Sequence, residues 1–144
     1  MHNLRVIALS AGLVAGLSAA PPADAADAAR GERLFRDCTA CHSVVDETGT
    51  TLARGGRTGP NLYGVIGRHA GSVPGFHYSP SMVAAGQRGL RWNEADFLVY
   101  VKDATAFLRD YLDDPEARGK MAYKLRDTDK ARDVWAYLER IAAP

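Results

Sequence analysis

The sequence has almost no net charge and very little cysteine. Its 18 lysines and arginines are balanced by 17 aspartates and glutamates, which leaves +1 at pH 7. Nucleic-acid-binding domains normally carry a strong basic excess, so this balance gives that class of function no support. Only two cysteines are present in 144 residues. The chain also lacks internal repeats and any alternating pattern that would predict a pair of β-strands. These absences favour a small helical domain whose chemistry depends on few side chains.

The first 25 residues have the pattern of a secretory signal peptide. A short basic segment precedes an uncharged run of apolar and small residues over 6–20, and Ala23-Asp24-Ala25 provides a small–x–small cleavage pattern. A retained membrane anchor is less favoured, because a spanning helix needs about 20 apolar residues. We therefore expect export to the periplasm and cleavage after Ala25, with Ala20 or Ala28 as alternative sites.

Residues 26–144 have the length of a single domain, and their pattern is one of helices separated by glycine-rich loops. Helices are predicted from Asp27 to Cys38, from Ser79-Pro80, from Asn93, over the segment TAFLRDYLDD up to Pro115, and from about Thr128. Residues 43–75 are irregular, and so long a loop needs something to pack against. Gly31, inside the first helix, is expected to let another helix come close.

The two cysteines and a histidine lie together in the segment CTACH. Zinc would need four ligands, but His69 and His77 are eight residues apart, outside the usual spacing of zinc sites. A redox dithiol would need a βαβ unit, and a plain disulfide would explain neither His42 nor the long loop. The pattern C-x-x-C-H attaches haem covalently. We therefore expect Cys38 and Cys41 to form thioether bonds to haem and His42 to bind its iron.

The second axial ligand decides the class of haem chemistry. Iron held by His and Met is the electron-transfer arrangement, whereas an open position would suggest peroxidase activity or gas binding. After signal-peptide cleavage only Met82 and Met121 remain. Met82 follows the long loop directly, whereas Met121 lies in a helix-breaking segment, 114–125, which can cross to the other haem face. Met121 is therefore the predicted ligand and Met82 the alternative.

With these motifs the chain resembles the class I c-type cytochromes, and among them the longer soluble bacterial cytochrome c-two kind. The likeness covers essentially the whole mature chain through GERLFRDCTACH, GPNLYGVIGR, GFHYS, GKMAYKL and DVWAYL, in that order. It implies an all-α class I cytochrome c fold. In that fold about five helices and long glycine-rich loops wrap one haem c, which is held by two thioether bonds.

The resemblance also implies roles for individual residues. Pro60, in GPNL, matches the proline whose carbonyl accepts a hydrogen bond from the iron-binding imidazole. Arg68, Tyr78 and Trp92 match residues that bind the haem propionates, and Tyr100 matches the tyrosine near the methionine sulfur. From the residues alone, the aromatic side chains could equally be core residues, and Arg68 a solvated surface arginine.

Two features depart from the family pattern. Gly119 stands where the family often has a threonine that bonds a propionate. Lysines, which usually surround the exposed haem edge, are few, so the charged face that steers docking is thinner than in the family.

The function implied by the resemblance is that of a soluble mono-haem electron carrier and not of an enzyme. The implied donor is a quinol–cytochrome c oxidoreductase, and the implied acceptor is a terminal oxidase or a photosynthetic reaction centre. We expect a monomer that docks transiently on these membrane complexes and has no nucleic-acid partner. The alternative is a haem peroxidase or gas-binding module with a labile methionine ligand.

Overall fold

The computed structural model describes residues 25–142, so the predicted signal peptide lies outside the described residues apart from Ala25. Within this range five α-helices form: α1 (Ala28–Phe35), α2 (Pro80–Gln87), α3 (Glu94–Lys102), α4 (Ala104–Leu112) and α5 (Thr128–Ile141). A short 3-10 helix covers Cys38–Ala40. Within these residues, no helix combines the length and the apolar character needed to cross a membrane.

The predicted helix starts are confirmed by side-chain caps. The Asp27 carboxylate accepts hydrogen bonds from the backbone N–H groups of Ala29 and Arg30, in the first turn of α1, at 2.9 and 3.1 Å. Ser79 caps α2 through the N–H of Met82 at 3.2 Å, and Asn93 caps α3 through Asp96 at 3.0 Å. These contacts satisfy donors that have no partner inside the helix, so the caps set where each helix begins.

Two predicted helix ends were too late. α1 stops at Phe35, and the chain tightens into the 3-10 helix that carries Cys38. α4 stops at Leu112 because Asp113 adopts a left-handed conformation with φ 52°, two residues before Pro115. A left-handed residue ends a helix as effectively as a proline, but it leaves a weaker signal in the sequence.

The prediction that the chain has no strand pair was wrong. β1 (Val44–Val45) pairs antiparallel with β2 (Thr51–Ala53). Between them the Asp46 carboxylate accepts hydrogen bonds from the backbone N–H groups of Thr48 and Thr50, at 2.9 and 2.8 Å. Strands of two and three residues are too short to show an alternating pattern, so their pairing depends on this turn.

The first and last helices cross at Gly31, as expected for a glycine within a helix. A Cβ atom at Gly31 would lie 1.9 Å from the Asp133 carbonyl oxygen of α5, so only glycine permits this approach. The rings of Phe35 and Tyr137 pack beside the crossing with centroids 5.2 Å apart. The fully buried Asp133 side chain pairs with Arg30 and accepts the Asp27 N–H at 2.8 Å. The crossing joins α1, and hence the CTACH segment, to the other end of the chain.

Candidate haem-attachment site

The two cysteines lie on one turn, the 3-10 helix that follows α1 and the residue that ends it. The N–H groups of Cys41 and His42 both donate to the Cys38 carbonyl, at 3.1 and 2.9 Å. Both thiols are free; Cys38 is half-buried and Cys41 exposed. Burial raises the pKa of Cys38 to about 11. A redox dithiol needs a lowered thiol pKa, so the raised pKa of Cys38 argues against thiol–disulfide exchange.

A zinc site finds no support in residues 25–142. No group of three or more His, Cys, Asp or Glu side chains in this range could hold a metal ion. His69 pairs through its backbone with Arg91, and the His77 carbonyl accepts a bond from Lys120. An iron held by a porphyrin needs only axial ligands from the chain, so the absence of such a cluster does not count against it.

His42 is held in the orientation that an axial ligand needs. Its Nδ1 lies 2.8 Å from the Pro60 carbonyl oxygen, so Nδ1–H donates there and the lone pair of Nε2 is available to a metal. Burial lowers the pKa of His42, which favours the neutral, metal-binding imidazole. The contact with Pro60 is the one that the resemblance implied.

Three glycines of the long loop pack closely on the CTACH segment, and the sequence motifs predicted no role for them. A Cβ atom at Gly59 would lie 2.4 Å from His42 Cε1, and one at Gly55 would lie 1.8 Å from the His42 carbonyl oxygen. Gly56 donates to the Thr39 carbonyl at 2.8 Å. The loop therefore packs directly on the CTACH backbone. Of the sequence motifs, only GPNL, which follows CTACH and begins with Gly59, could have pointed to a role for this glycine.

The residues present fit a covalently bound haem. Two free thiols share one turn, and a neutral imidazole has its second nitrogen available. Gly59 leaves space for the ring.

The two methionines have different environments. Met82 is 6% exposed and belongs to the hydrophobic core on α2. Met121 is half-buried in the irregular segment between α4 and α5. Met82 thus has the packing role that is the commoner use of a methionine, which leaves Met121 as the better candidate for the sixth iron ligand.

Arg68 is partly buried and tied to the backbone, unlike a solvated surface arginine. Its guanidinium donates to the carbonyl oxygens of Tyr63 and Asn61, at 2.8 and 3.0 Å. The Arg68 carbonyl accepts the Trp92 N–H at 3.0 Å, so these two predicted propionate-binding residues are neighbours. Burial lowers the pKa of Arg68 and raises that of Tyr78.

Trp92 and Tyr100 pack against each other, with ring centroids 4.8 Å apart. Phe107 of α4 completes the cluster at 6.2 Å from Trp92 and 5.7 Å from Tyr100. Burial raises the pKa of Tyr100 to about 12, so its phenol stays protonated through the physiological range. Trp92 is therefore a core residue and Tyr100 packs against the core, which is compatible with polar tips directed at a bound group.

Comparison with known proteins agrees with this geometry. No family model matches the chain. It is 57% identical over 113 residues to cytochrome c2 of Rhodovulum adriaticum, covering 78% of this chain and 90% of that one. It is 49% identical over 135 residues to cytochrome c2 of Rhodobacter capsulatus, covering 94% and 97%. The crystal structure of cytochrome c2 from Rhodobacter sphaeroides superimposes with a TM-score of 0.81 at 45% identity, over 83% of this chain and 99% of that one. The chain therefore belongs to the cytochrome c2 group of the class I c-type cytochromes.

Proposed function

We propose that Cys38 and Cys41 attach one haem c, that His42 and Met121 bind its iron, and that the protein carries single electrons in a respiratory or photosynthetic chain. Haem c as cofactor and the carrier function agree with the cytochrome c2 relatives. The observation that carries the residue assignment is the 2.8 Å contact between His42 Nδ1 and the Pro60 carbonyl, which leaves Nε2 available to a metal. The haem supplies an iron that alternates between its ferric and ferrous forms.

The role of the chain is to hold the ligands in place and exclude water. The Pro60 carbonyl fixes the His42 ring and raises its basicity. Gly59 allows the ring to sit against the loop without displacement. A thioether ligand from Met121 raises the reduction potential relative to a second histidine. Ligands that stay bound in both oxidation states keep the structural change on electron transfer small.

The propionates are assigned to a second set of residues. Arg68, Tyr78 and Trp92 are proposed to bind them, and Tyr100 is proposed to lie near the methionine sulfur. Support comes from the backbone bond between Arg68 and Trp92 and from the packing of Trp92 on Tyr100. The partly buried guanidinium of Arg68 would be stabilised by a counter-charge, which a carboxylate of the haem would provide.

The cytochrome c2 relatives are consistent with a protein that is not an enzyme and do not favour the peroxidase or gas-binding alternative. The relatives support a role with redox partners. We propose a quinol–cytochrome c oxidoreductase as donor and a terminal oxidase or photosynthetic reaction centre as acceptor. We further propose cleavage after Ala25 and a soluble, monomeric mature domain, 26–144, in the periplasm. The composition of residues 1–25 supports export.

A redox-titrated visible spectrum of the haem-loaded protein tests the ligand assignment. The ferric form should show the weak charge-transfer band at the red end that reports a methionine–iron bond. Met121→Ala should abolish this band, whereas Met82→Leu, a substitution that conserves core volume, should keep it. Persistence of the band in Met121→Ala, or its loss in Met82→Leu alone, contradicts the assignment. Ready binding of carbon monoxide by the reduced wild-type protein at neutral pH would favour the gas-binding alternative.

A further inference from the structure

The segment that carries Met121 is fastened by hydroxyl groups from two helices. The Gly119 N–H donates to Thr105 Oγ1 at 3.1 Å, and the preceding Arg118 N–H donates to Ser81 Oγ at 3.0 Å. Thr105 and Ser81 are each the second residue of their helix, α4 and α2 respectively. The bond to Thr105 is partly buried, whereas the bond to Ser81 is exposed. Water can replace the exposed bond more easily, so Thr105 makes the stronger attachment.

Steric contacts keep the same turn in register. A Cβ atom at Gly119 would lie 3.1 Å from Ala104 Cβ and 3.3 Å from the Ala104 carbonyl carbon. Ala117 is 1% exposed, and its carbonyl accepts a bond from Arg109 Nε at 3.2 Å. Residue 119 therefore has little room for a side chain, and the hydroxyl that binds this turn is that of Thr105 in α4.

A hydrogen bond and an ion pair also hold the segment after Met121. The Leu125 N–H donates to the Val101 carbonyl of α3 at 2.8 Å, and Lys124 forms an ion pair with Asp103. Immediately before Met121, the Lys120 ammonium donates to a loop carbonyl, that of His77, at 2.7 Å. Met121 therefore lies in a short span with both ends tied to helices. Its Cα is two residues from the Thr105 bond.

We propose that Thr105 is a positioning residue for the Met121 ligand, with Ser81 as a weaker second. The inference rests on the proposed ligation by Met121. By fixing the backbone at residues 118 and 119, the two hydroxyls reduce the conformational freedom that the thioether loses when it binds iron. A competing ligand must displace this segment before it can bind the iron. The two hydroxyls therefore lower the affinity of the protein for such a ligand.

Imidazole binding to the ferric, haem-loaded protein measures this effect, because imidazole replaces the methionine and removes the charge-transfer band. Thr105→Val keeps the β-branched shape but removes the acceptor, and imidazole should then bind about five-fold more tightly, the effect of one hydrogen bond. Ser81→Ala should change the affinity by about two-fold. Thr105→Ser restores the hydroxyl and should return the affinity to the wild-type value.

Thr128→Val is the matched control, since Thr128 is an exposed threonine in the first turn of α5. It should leave imidazole affinity unchanged. Thr105→Val within two-fold of wild type, or Thr105→Ser as affected as Thr105→Val, overturns the proposal. So does a loss of global stability in Thr105→Val without a change in imidazole affinity. In each of these outcomes the charge-transfer band of the Thr105 variants is intact in the absence of imidazole. An error in the ligand assignment gives a different result, because the band then survives Met121→Ala.

Discussion

A methyl group at residue 59 should displace the imidazole of His42. The Cβ of Gly59→Ala would lie 2.4, 2.6 and 2.8 Å from Cε1, Nδ1 and Nε2 of the ring. Carbon atoms in contact normally lie about 3.5–4.0 Å apart, so the overlap exceeds 1 Å. The ring cannot turn away freely, because Nδ1 is bonded to the Pro60 carbonyl and Nε2 is the proposed iron ligand. Either the ring tilts from the iron or the turn at 59–60 moves and loses its bond.

The loss of stability in Gly59→Ala follows from these two responses, a tilted ring or a displaced turn. Overpacking of a filled site costs about 1–3 kcal/mol, and loss of the His42–Pro60 hydrogen bond adds about 1 kcal/mol. We therefore expect Gly59→Ala to lower the free energy of unfolding of the haem-loaded protein by about 2–4 kcal/mol. The iron spectrum should change as well, since both options alter the bond between iron and imidazole.

Guanidinium chloride unfolding and the visible spectrum together test this prediction. Gly49→Ala is the control: φ at Gly49 is +87°, and a Cβ there meets nothing within 4 Å. It should cost about 1–2 kcal/mol of backbone strain and leave the iron spectrum unchanged. A Gly59→Ala protein with wild-type stability and spectrum would show that the loop does not pack against the His42 ring as closely as this structure has it.

Two further substitutions test the packing and the charges. Gly31→Ala should lower stability by about 1–3 kcal/mol in urea unfolding, because its Cβ overlaps the Asp133 carbonyl, although alanine is the better helix former. The exposed Ala29→Gly of the same helix serves as the comparison for propensity, and a Gly31→Ala protein more stable than wild type would contradict the crossing geometry. The ion pair with Lys124 and, second, the helix-cap bond lower the pKa of Asp103 below its usual 3.8. The stabilisation that the ionised Asp103 contributes is therefore present above pH 3.8 and is lost as the pH falls through the pKa of Asp103 in the folded protein. Asp103→Asn keeps the cap and should flatten the acid limb of the stability profile measured by unfolding midpoints from neutral pH down to about 3; an unchanged limb would show that other carboxylates determine it.

Much of the proposed site could be inferred from the sequence because its determinants are close together in the chain. Cys38, Cys41 and His42 lie within five consecutive positions, and that spacing alone predicts covalent haem. The helix starts at Asp27, Ser79 and Asn93 were predictable for the same reason, since a cap and the N–H groups it accepts from are two or three residues apart.

The helix end at Asp113 and the pairing of β1 with β2 were not predictable in this way. A left-handed aspartate has no strong sequence signal, and strands of two and three residues show no periodicity. A left-handed backbone ends α4 and turn hydrogen bonds pair the strands, and the pattern of apolar residues records neither.

Local spacing in the sequence is enough to encode the chemistry: two thiols and an imidazole on one turn, and a methionine in a segment without helix. How these groups are held depends on contacts between distant parts of the chain. Gly59 touches His42 from 17 positions along the chain, and Thr105 meets Gly119 from 14 positions away. Such contacts depend on how helices and loops pack around each other, and no local pattern of residue types specifies that packing.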